Sequence, residues 1–407
     1  LVTSLKDKSL RSLNFENQSL MKKALLFLLL STSIIMAQKK DSLISENITG
    51  HIYKPKMVGA TEERISQLQL PQGFKIEKFA DNLGEPRMMA VSPQGNIYVS
   101  RREGDVVMLK DTNDDGKPDH QQTVVTKEGA HGVAFHEDMF YLVTVNDVFR
   151  AQLKEDGTIG ELEKIIGNLP DGGQHPNRTI GFGPDGMLYI SIGSTCNACD
   201  ETREENATIV RTNADGSNRT IFASGLRNTI GFDWHPETGE LFGMDSGIDW
   251  LGDDEQKEEL NRITEGADYG WPYIYDDGKY NKADEPPKMT WKEYAQKATE
   301  PEMLFTAHSA PMNLKFYRGK MFPSEYKNTA LVTFRGSWNR RPASGHKIMK
   351  VTFENGKPVK AEDFVKGFLM EEGTSRFARL AGLVELPDGS LLVSDDTNGV
   401  IYRVSYN

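Results

Sequence analysis

The stretch "GGQHPNRTIGFGPDGMLYISIG", residues 172–193, contains two short apolar segments separated by a turn sequence. Apolar residues alternate with small or polar ones in "RTIGFG" and again in "MLYISIG", and Pro-Asp-Gly lies between them. This pattern predicts a β-hairpin with one face in a core. The polar residues that precede it, from His175 to Arg178, are not explained by a core, so their position in the fold must explain them.

The same pattern recurs along the chain. A polar segment, an apolar strand, a turn and a second apolar strand are found in residues 90–100, 132–145, 180–193, 231–247, 313–336 and 382–396. Third strands such as "GDVVMLKD" and "GVIYRVSY" follow several of these copies. Six such repeats predict an all-β, six-bladed β-propeller over residues 68–407, with a polar insertion at 272–307. Two β-sandwich domains are the alternative, which is less favoured because no linker divides the repeats.

The charge and the first residues bear on location and partners. A formal net charge of −11 disfavours a nucleic acid or an anionic membrane as a partner. Residues 21–37, "MKKALLFLLLSTSIIMA", have the layout of a secretory signal that starts at Met21, and no Cys follows Ala37 to carry a lipid. We therefore expect residues 1–37 to be upstream sequence and signal peptide, and 38–67 to be a polar segment. The predicted protein is periplasmic or secreted and has no membrane anchor.

The only two cysteines, Cys196 and Cys199, form the sequence "CNAC". In an exported protein this spacing favours a local disulfide over a metal or redox pair. Haem attachment would need a His after the second Cys, where this chain has Asp200.

The propeller geometry predicts where the polar segments lie. If all six first strands run in the same direction, their first residues gather at one end of the central channel, and the second strands end there as well. We call this end the channel mouth. It brings together Arg87, His131, His175, Arg178, Arg227, Asn228, His308, Arg335 and Arg379. Any one of these residues could simply bind neighbouring backbone, but converging arginines in an acidic protein predict a site for a small compound with several acidic groups.

Several phrases of the chain resemble the glucose/sorbosone dehydrogenases that use pyrroloquinoline quinone (PQQ), in particular the sorbosone dehydrogenase branch. The phrases include "HPNRTIGFGPDGMLYISIGSTCNAC", "LGDDEQKEELNRI", "ADYGWPY", "HSAPMNLKFY" and "PDGSLLVSDDTNGVIYRVSY". The resemblance implies that PQQ lies flat on the mouth of a six-bladed propeller. It also implies that a sugar, sugar aldehyde or polyol is oxidised by hydride transfer to PQQ, which then passes electrons to an acceptor such as a cytochrome or a quinone.

The resemblance also implies roles for individual residues. The family's general base is a His nine residues before the Pro of the turn, and His175 stands nine residues before Pro184. Arg227 would bind a quinone carboxylate and Asn228 a ring carbonyl. The remaining implied cofactor contacts are His308, at the position of a family Thr, Arg335 and Arg379.

Calcium is the second cofactor that the resemblance implies. The backbone carbonyls of Gly247 and Ile248 would bind the Ca²⁺ that contacts PQQ, and Glu259 would bind a structural Ca²⁺. This chain departs from the glucose-oxidising branch at Ser194, where a carboxylate normally stands behind the His, and at Ile230, where that branch has Gln. These departures argue against glucose itself as the substrate.

Other interpretations stay open. Asp111, Asn113 and Asp115 have the spacing of a calcium loop without its closing Glu, and a polar turn between strands explains them equally well. The whole chain could also be a carbohydrate-binding propeller without a cofactor, or a calcium-dependent hydrolase of the lactonase type. The lactonase type needs converging carboxylate and amide ligands, whereas the predicted mouth is rich in Arg and His.

Overall fold

Short strands with buried apolar residues make up nearly all of the regular structure. The computed structural model describes residues 48–113 and 115–407, and residues 49–407 form one compact unit. The signal segment predicted at 21–37 lies outside the described residues. No helix in the described part of the chain is long and apolar enough to cross a membrane.

The described chain begins with three short elements and a first sheet. The elements are β1 (Lys56–Met57), α1 (Glu62–Ser66) and β2 (Phe74–Ala80). Sheet 1 follows with β3 (Pro86–Val91), β4 (Ile97–Arg101), β5 (Asp105–Lys110) and β6 (His120–Thr126).

Sheets 2 and 3 repeat the order of sheet 1. Sheet 2 contains β7 (Val133–His136), β8 (Met139–Val143), β9 (Val148–Gln152) and β10 (Glu163–Ile166). Sheet 3 contains β11 (Thr179–Phe182), β12 (Leu188–Ile192), β13 (Thr208–Thr212) and β14 (Thr220–Ala223).

Sheet 4 contains the predicted insertion between its third and fourth strands. Its first three strands are β15 (Gly231–Trp234), β16 (Leu241–Asp245) and β17 (Glu258–Ile263). The small hairpin of β18 (Ile274–Tyr275) and β19 (Lys279–Tyr280) and the helix α2 (Trp291–Ala295) then precede β20 (Met303–Phe305), which pairs with β17.

Sheets 5 and 6 complete the set of four-stranded sheets. Sheet 5 contains β21 (Pro311–Phe316), β22 (Ala330–Phe334), β23 (Lys347–Glu354) and β24 (Lys357–Val365), with a 3₁₀ turn at Ser324–Tyr326. The pair β25 (Leu369–Met370) and β26 (Ser375–Arg376) flanks a second 3₁₀ turn, Glu371–Gly373. Sheet 6 contains β27 (Leu380–Glu385), β28 (Leu391–Asp395) and β29 (Val400–Tyr406), and β2 is its outer strand.

The hairpins predicted from sequence are confirmed. In sheet 3, β11 and β12 pair antiparallel from Thr179↔Ser191 to Phe182↔Leu188. The first two strands of the other five sheets also pair antiparallel, and the third strands follow in the predicted segments. The expectation of an all-β protein is therefore confirmed, and the single unit of residues 49–407 disagrees with two separate sandwich domains.

The first strands of the six sheets line a common channel. Each of them contacts the first strand of the next sheet, and β27 contacts β3 to close the circle. The approach is close enough to require glycine at some positions. A Cβ on Gly231 would lie 2.5 Å from the Cα of Asn313, and one on Gly382 would lie 2.2 Å from the carbonyl oxygen of Arg87. Apolar clusters fill the spaces between neighbouring sheets.

The described part of the predicted polar segment packs on this unit. Strand β1 pairs in parallel with β26. Ile65 of α1 and the nearby Leu68 are buried in the cluster beside sheets 5 and 6. Residues 49–67 therefore add apolar contacts to the folded unit.

Candidate functional site

The first residues of the channel-lining strands form a connected polar network, as the sequence predicts. Arg87 is the second residue of β3 in sheet 1, and its Nη2 donates to His131 Nε2 at 3.4 Å. His131 Nδ1 donates to the carbonyl of Arg178 at 2.8 Å. Arg178 Nη1 in turn donates to the carbonyl of His175 at 2.8 Å. Sheets 1, 2 and 3 are thus joined at the mouth.

His175 is oriented by Ser194. Its Nδ1 lies 2.9 Å from Ser194 Oγ and 3.0 Å from the Ser194 carbonyl oxygen. Ser194 Oγ donates its own proton to the carbonyl of Cys196, so both Ser194 oxygens act as acceptors. Nδ1 therefore carries the imidazole proton, and Nε2 keeps its lone pair. The hydroxyl and carbonyl of Ser194 replace the family's carboxylate as the orienting groups.

The backbone beside His175 is fixed by close packing. The buried guanidinium of Arg178 also donates to the carbonyls of Pro170 and Asp171, so Arg178 holds the loop and has no free face towards a ligand. A Cβ on Gly193 would lie 2.7 Å from His175 Cβ and 3.0 Å from Asn228 Oδ1. Glycine at 193 therefore allows the His175 and Asn228 side chains to lie next to each other.

The surroundings keep His175 neutral. Burial, with further contributions from the positive charges of Arg227 and Arg178, lowers the pKa of His175 to about 3. An uncharged imidazole with an available Nε2 is the form that accepts a proton from a hydroxyl group.

Four arginines and one aspartate form a cationic cluster on the opposite side of the mouth. Asp396 Oδ2 accepts from Arg87 Nη1 at 2.5 Å and from Arg335 Nη2 at 2.6 Å. Arg376 and Arg379 lie close enough for their charges to act on this group. Burial alone would raise the pKa of Asp396, but Arg335 and Arg87 bring it below its usual value.

The cationic cluster has donors that the protein leaves unused. Arg335 Nε, Arg376 Nη1 and Arg379 Nε are buried and have no hydrogen-bond partner among the described residues. Burial, followed by repulsion from Arg335, lowers the pKa of Arg379 to about 9. Buried N–H donors without acceptors are costly, so this cluster has the properties of a site for a polyanionic ligand.

His346 lies beside the same cluster and was not singled out from the sequence. Its Nδ1 donates to the carbonyl of Ala378 at 3.0 Å, while Nε2 is buried without a partner in the described chain. Burial, and then the charges of Arg376 and Arg379, lowers its pKa to about 3. His346 therefore presents an unprotonated nitrogen beside the arginines.

Arg227 and Asn228 occupy the predicted position at the start of β15, but they differ in availability. The Arg227 guanidinium donates to Asn197, to the Ser246 carbonyl and to Asp249 Oδ2, the last at 3.0 Å. Asn228 is held by its backbone N–H, which donates to Asp245 Oδ1 at 2.8 Å. Its amide group has no hydrogen-bond partner within the described residues and remains available beside His175.

His308 is placed at the mouth, but both of its ring nitrogens are engaged. Nε2 donates to the carbonyl of Gly252 at 2.7 Å, and Nδ1 accepts from Asn339 Nδ2 at 3.1 Å. Asn339 also donates to Asp249, which contacts Arg227. His308 thus supports the loop that bears Asp249.

The two predicted calcium-binding carbonyls are held by their backbone N–H groups. Gly247 N donates to Glu258 Oε2 at 3.0 Å, and Ile248 N donates to Gln256 Oε1 at 2.6 Å. No donor in the described chain binds either carbonyl oxygen. Glu258 is fully enclosed, and burial raises its pKa to about 8. Two free carbonyls near a buried carboxyl group are oxygen ligands suited to Ca²⁺.

Glu259 faces away from these carbonyls. It accepts from Asp276 N at 2.9 Å and from Asn261 Nδ2 at 3.3 Å, and burial followed by the charge of Asp245 raises its pKa to about 8. Asn261 Oδ1 lies buried without a hydrogen-bond partner in the described residues, whereas Asp276 Oδ2 lies 3.3 Å from Lys279 Nζ. The carboxyl groups of Glu259 and Asp276 and the unpartnered Asn261 oxygen make this a second location with oxygen ligands suited to a cation.

Three other features that the sequence singled out have the following contacts. Cys196 and Cys199 form a disulfide, so the nearby Glu201 does not complete a metal site with free thiolates. Asp111, Asn113 and Asp115 accept hydrogen bonds from backbone N–H groups of their own loop, as in a polar turn. Ile230 packs in an apolar cluster.

The residues present fit a planar tricarboxylate such as PQQ. The cationic cluster offers unused buried donors on one side of the mouth, Asn228 offers an amide, and the Gly247 and Ile248 carbonyls offer cation ligands. The structure brings His175, Arg227, Asn228, Arg335 and Arg379 to the same end of the channel. Arg227 and His308 are engaged with protein groups, whereas Arg335 and Arg379 have unused donors.

Comparison with known proteins agrees with this chemistry. Residues 83–403 match the glucose/sorbosone dehydrogenase family. An uncharacterized protein of Borreliella burgdorferi is 30% identical over 369 residues, which cover 85% of this chain and 93% of that protein. A pyrroloquinoline quinone-dependent sugar dehydrogenase of Hypocrea jecorina is 25% identical over 283 residues, which cover 57% of this chain and 62% of that protein.

Solved structures with the same fold include two fungal enzymes. The calcium structure of the Trichoderma reesei enzyme of Carbohydrate-Active Enzymes Family AA12 has a TM-score of 0.75 at 21% identity and covers 84% of this chain and 98% of its own. The holo form of the pyranose dehydrogenase PQQ domain from Coprinopsis cinerea has a TM-score of 0.71 at 18% identity and covers 87% of this chain and 100% of its own. At these identities the likeness concerns the fold, while the match over residues 83–403 shows that the chain belongs to the glucose/sorbosone dehydrogenase family.

Proposed function

We propose that this protein is a periplasmic or secreted PQQ-dependent dehydrogenase that oxidises a sugar, a sugar aldehyde or a polyol. In this proposal the six sheets are the six blades of a propeller that spans residues 68–407, and the mouth holds PQQ and Ca²⁺. The main support is the combination of a neutral His175 with a free Nε2 and a cationic cluster with unused buried donors at the same mouth.

His175 acts as the general base. Its Nε2 accepts the hydroxyl proton of the substrate while Ser194 holds the protonated Nδ1, so the ring stays in the reactive orientation. When bound, PQQ supplies a carbonyl carbon that accepts hydride. The substrate therefore has to lie between Nε2 and the quinone, with the carbon that loses hydride directed towards PQQ.

The cationic cluster binds the cofactor. Arg335, Arg376 and Arg379 donate to carboxylates, and Asn228 donates to a ring carbonyl. The Gly247 and Ile248 carbonyls bind the Ca²⁺ that contacts the cofactor, and Glu259 belongs to a separate structural cation site. Arg227 acts mainly on the charge and shape of the mouth, because Asn197 and Asp249 occupy most of its donors.

Reconstitution tests this proposal. Apo-protein is mixed with PQQ and CaCl₂, desalted and examined for retained quinone absorbance, and aldoses and sorbosone are then screened with an artificial electron acceptor. We expect retained PQQ and reduction of the acceptor with at least one substrate. Sugar binding without PQQ retention would favour the cofactor-less binding protein, whereas PQQ retention without turnover on any aldose, aldehyde or polyol would show that the proposed substrate class is wrong. Calcium-dependent lactone hydrolysis without PQQ would favour the hydrolase.

A further inference from the structure

We propose that the disulfide-closed loop of residues 194–199 is a positioning element that fixes the His175 tautomer and the Arg227 guanidinium together. The inference rests on the proposed function for its catalytic meaning, but its structural part concerns only this chain. Three consecutive residues of this loop, Cys196, Asn197 and Ala198, make its contacts with the mouth. Cys196 acts on His175 through Ser194.

The first connection runs to His175. The Cys196 carbonyl accepts the Ser194 hydroxyl proton at 2.7 Å. Because that proton is already committed, Ser194 Oγ can only accept from the imidazole. The Cys196 carbonyl therefore makes Ser194 Oγ a second acceptor for Nδ1 beside the Ser194 carbonyl, and so reinforces protonation at Nδ1 although it does not touch the ring.

The second connection runs to Arg227. The Asn197 carbonyl accepts from Arg227 Nε at 2.9 Å and from Trp271 Nε1 at 3.1 Å. Asn197 Oδ1 accepts from Arg227 Nη2 at 2.7 Å and from Asp249 N at 2.9 Å. One residue thus presents two acceptors to one guanidinium and also fixes the loop that bears Asp249.

The third connection is apolar. Cys196 and Ala198 pack against the cluster of Ala207, Ile248 and Trp271. Ile248 is one of the two residues whose carbonyls we assign to Ca²⁺. The same short loop therefore contacts the base, the arginine and the cation-binding backbone.

The disulfide explains how so short a loop can keep all three contacts in place. Cys196 and Cys199 are bonded across Asn197 and Ala198, so both ends of the turn that carries these acceptors are tied. A cross-link reduces the number of backbone conformations open to the segment that it closes. Without it, the Cys196 carbonyl and Asn197 can rotate away, and Ser194 Oγ regains the choice of donating to His175, which leaves the Ser194 carbonyl as the one fixed acceptor for Nδ1 among the described residues.

The tautomer can be measured in apo-protein, independently of activity. Long-range ¹H–¹⁵N spectra of ¹⁵N-histidine-labelled protein report which ring nitrogen is protonated, and the His175 signals are assigned by their loss in His175→Gln. We expect one tautomer with a protonated Nδ1 in the wild type and exchange between both tautomers in the Cys196→Ser/Cys199→Ser variant. A single, unchanged tautomer in a folded double variant would overturn the proposal.

Substitution of Asn197 tests the second part of the proposal, the positioning of the Arg227 guanidinium, with the disulfide intact. Asn197→Ala removes the oxygen that accepts from both Arg227 and Asp249 N, so the guanidinium and the loop that bears Asp249 lose a fixed position beside the cofactor, and we expect PQQ affinity to fall about tenfold. Asn197→Asp keeps the oxygen that accepts from Arg227 and Asp249 and is expected to restore most of the affinity. Asn213→Ala, in a turn of sheet 3, serves as the control for loss of an Asn side chain. Equal affinities in Asn197→Ala and wild type would overturn this part.

The two proposals fail in different ways. If wild-type protein binds no PQQ, the proposed function is wrong, while the tautomer experiment still decides whether the loop orients His175. If wild type binds PQQ and turns over substrate but neither the Cys variant nor Asn197→Ala changes the measured quantities, only the positioning role is wrong.

Discussion

The fold keeps His175 neutral, and this makes the unfolding free energy of the wild type depend on pH. Replacing His175 with Gln should remove that dependence. Burial, with the charges of Arg227 and Arg178, lowers the His175 pKa from 6.5 to about 3. In the unfolded chain the imidazole takes up a proton near its ordinary pKa, whereas in the folded protein it does not. The stability associated with the lowered pKa is therefore fully present above the unfolded pKa and is lost as the pH falls from there towards the folded pKa.

The expected size follows from the pKa difference. At about pH 5 the solution is roughly 1.5 units below the unfolded pKa, and each unit corresponds to about 1.36 kcal/mol. Because of His175, the unfolding free energy of the wild type should fall by about 2 kcal/mol from about pH 7 to about pH 5. The unfolding free energy of His175→Gln should lack this decrease. The unfolding free energy of the variant relative to that of the wild type should therefore rise by that amount as the pH falls.

Urea unfolding of both apo-proteins, monitored by tryptophan fluorescence at several pH values between these limits, measures the difference in their unfolding free energies, which we call the gap. His120→Gln, at an exposed strand position, controls for loss of an imidazole elsewhere. A gap between His175→Gln and wild type that stays constant over the whole pH range would show that His175 gains its proton as readily in the folded protein as in the unfolded chain. The argument for a neutral general base would then be wrong.

Three further predictions concern the mouth. His175→Gln should leave PQQ binding nearly intact while turnover falls by about two to four decades, as measured by equilibrium binding and initial rates on the same samples; a lower melting temperature with normal turnover per bound PQQ would make His175 structural. Arg379→Met should weaken PQQ binding at least about tenfold with little change in melting temperature, because its buried Nε has no protein acceptor in the described chain; an unchanged dissociation constant would exclude it from the site. Gly193→Ala places a methyl group against His175 and Asn228, so initial rates should fall clearly while the melting temperature changes little; normal rates in this variant would contradict the close packing.

The fold was predictable because its information is local. Alternating apolar residues and turn sequences define each hairpin, as in Thr179↔Ser191 and its neighbours, and six copies of one hairpin pattern lead to one channel. The completion of sheet 6 by its outer strand was harder to derive. It depends on β2 joining sheet 6, and "FKIEKFA" by itself shows no preference for a partner more than three hundred residues away.

The site was predictable as a location but less so in its contacts. The repeat pattern places His175, Arg227 and Arg379 at one end of the channel. It does not show that Arg227 binds Asn197 and Asp249, because those partners lie on loops without periodicity. Asp396 was overlooked for the same reason. It lies in the turn just after β28, and only the meeting of sheets 5, 6 and 1 makes it the shared acceptor of two arginines.

The pairing of β2 with β29 has a consequence for how the protein is made. Among the described strands, β2 pairs only with β29 at Val400–Tyr406, so it stays unpaired while the intervening sheets are synthesised. An unpaired strand with apolar side chains readily pairs with other chains, so the nascent protein passes through a period of exposure to aggregation. Sheet 6 is completed only after β29 leaves the ribosome. A premature stop that removes this strand should therefore produce insoluble protein even though five of the six sheets are complete.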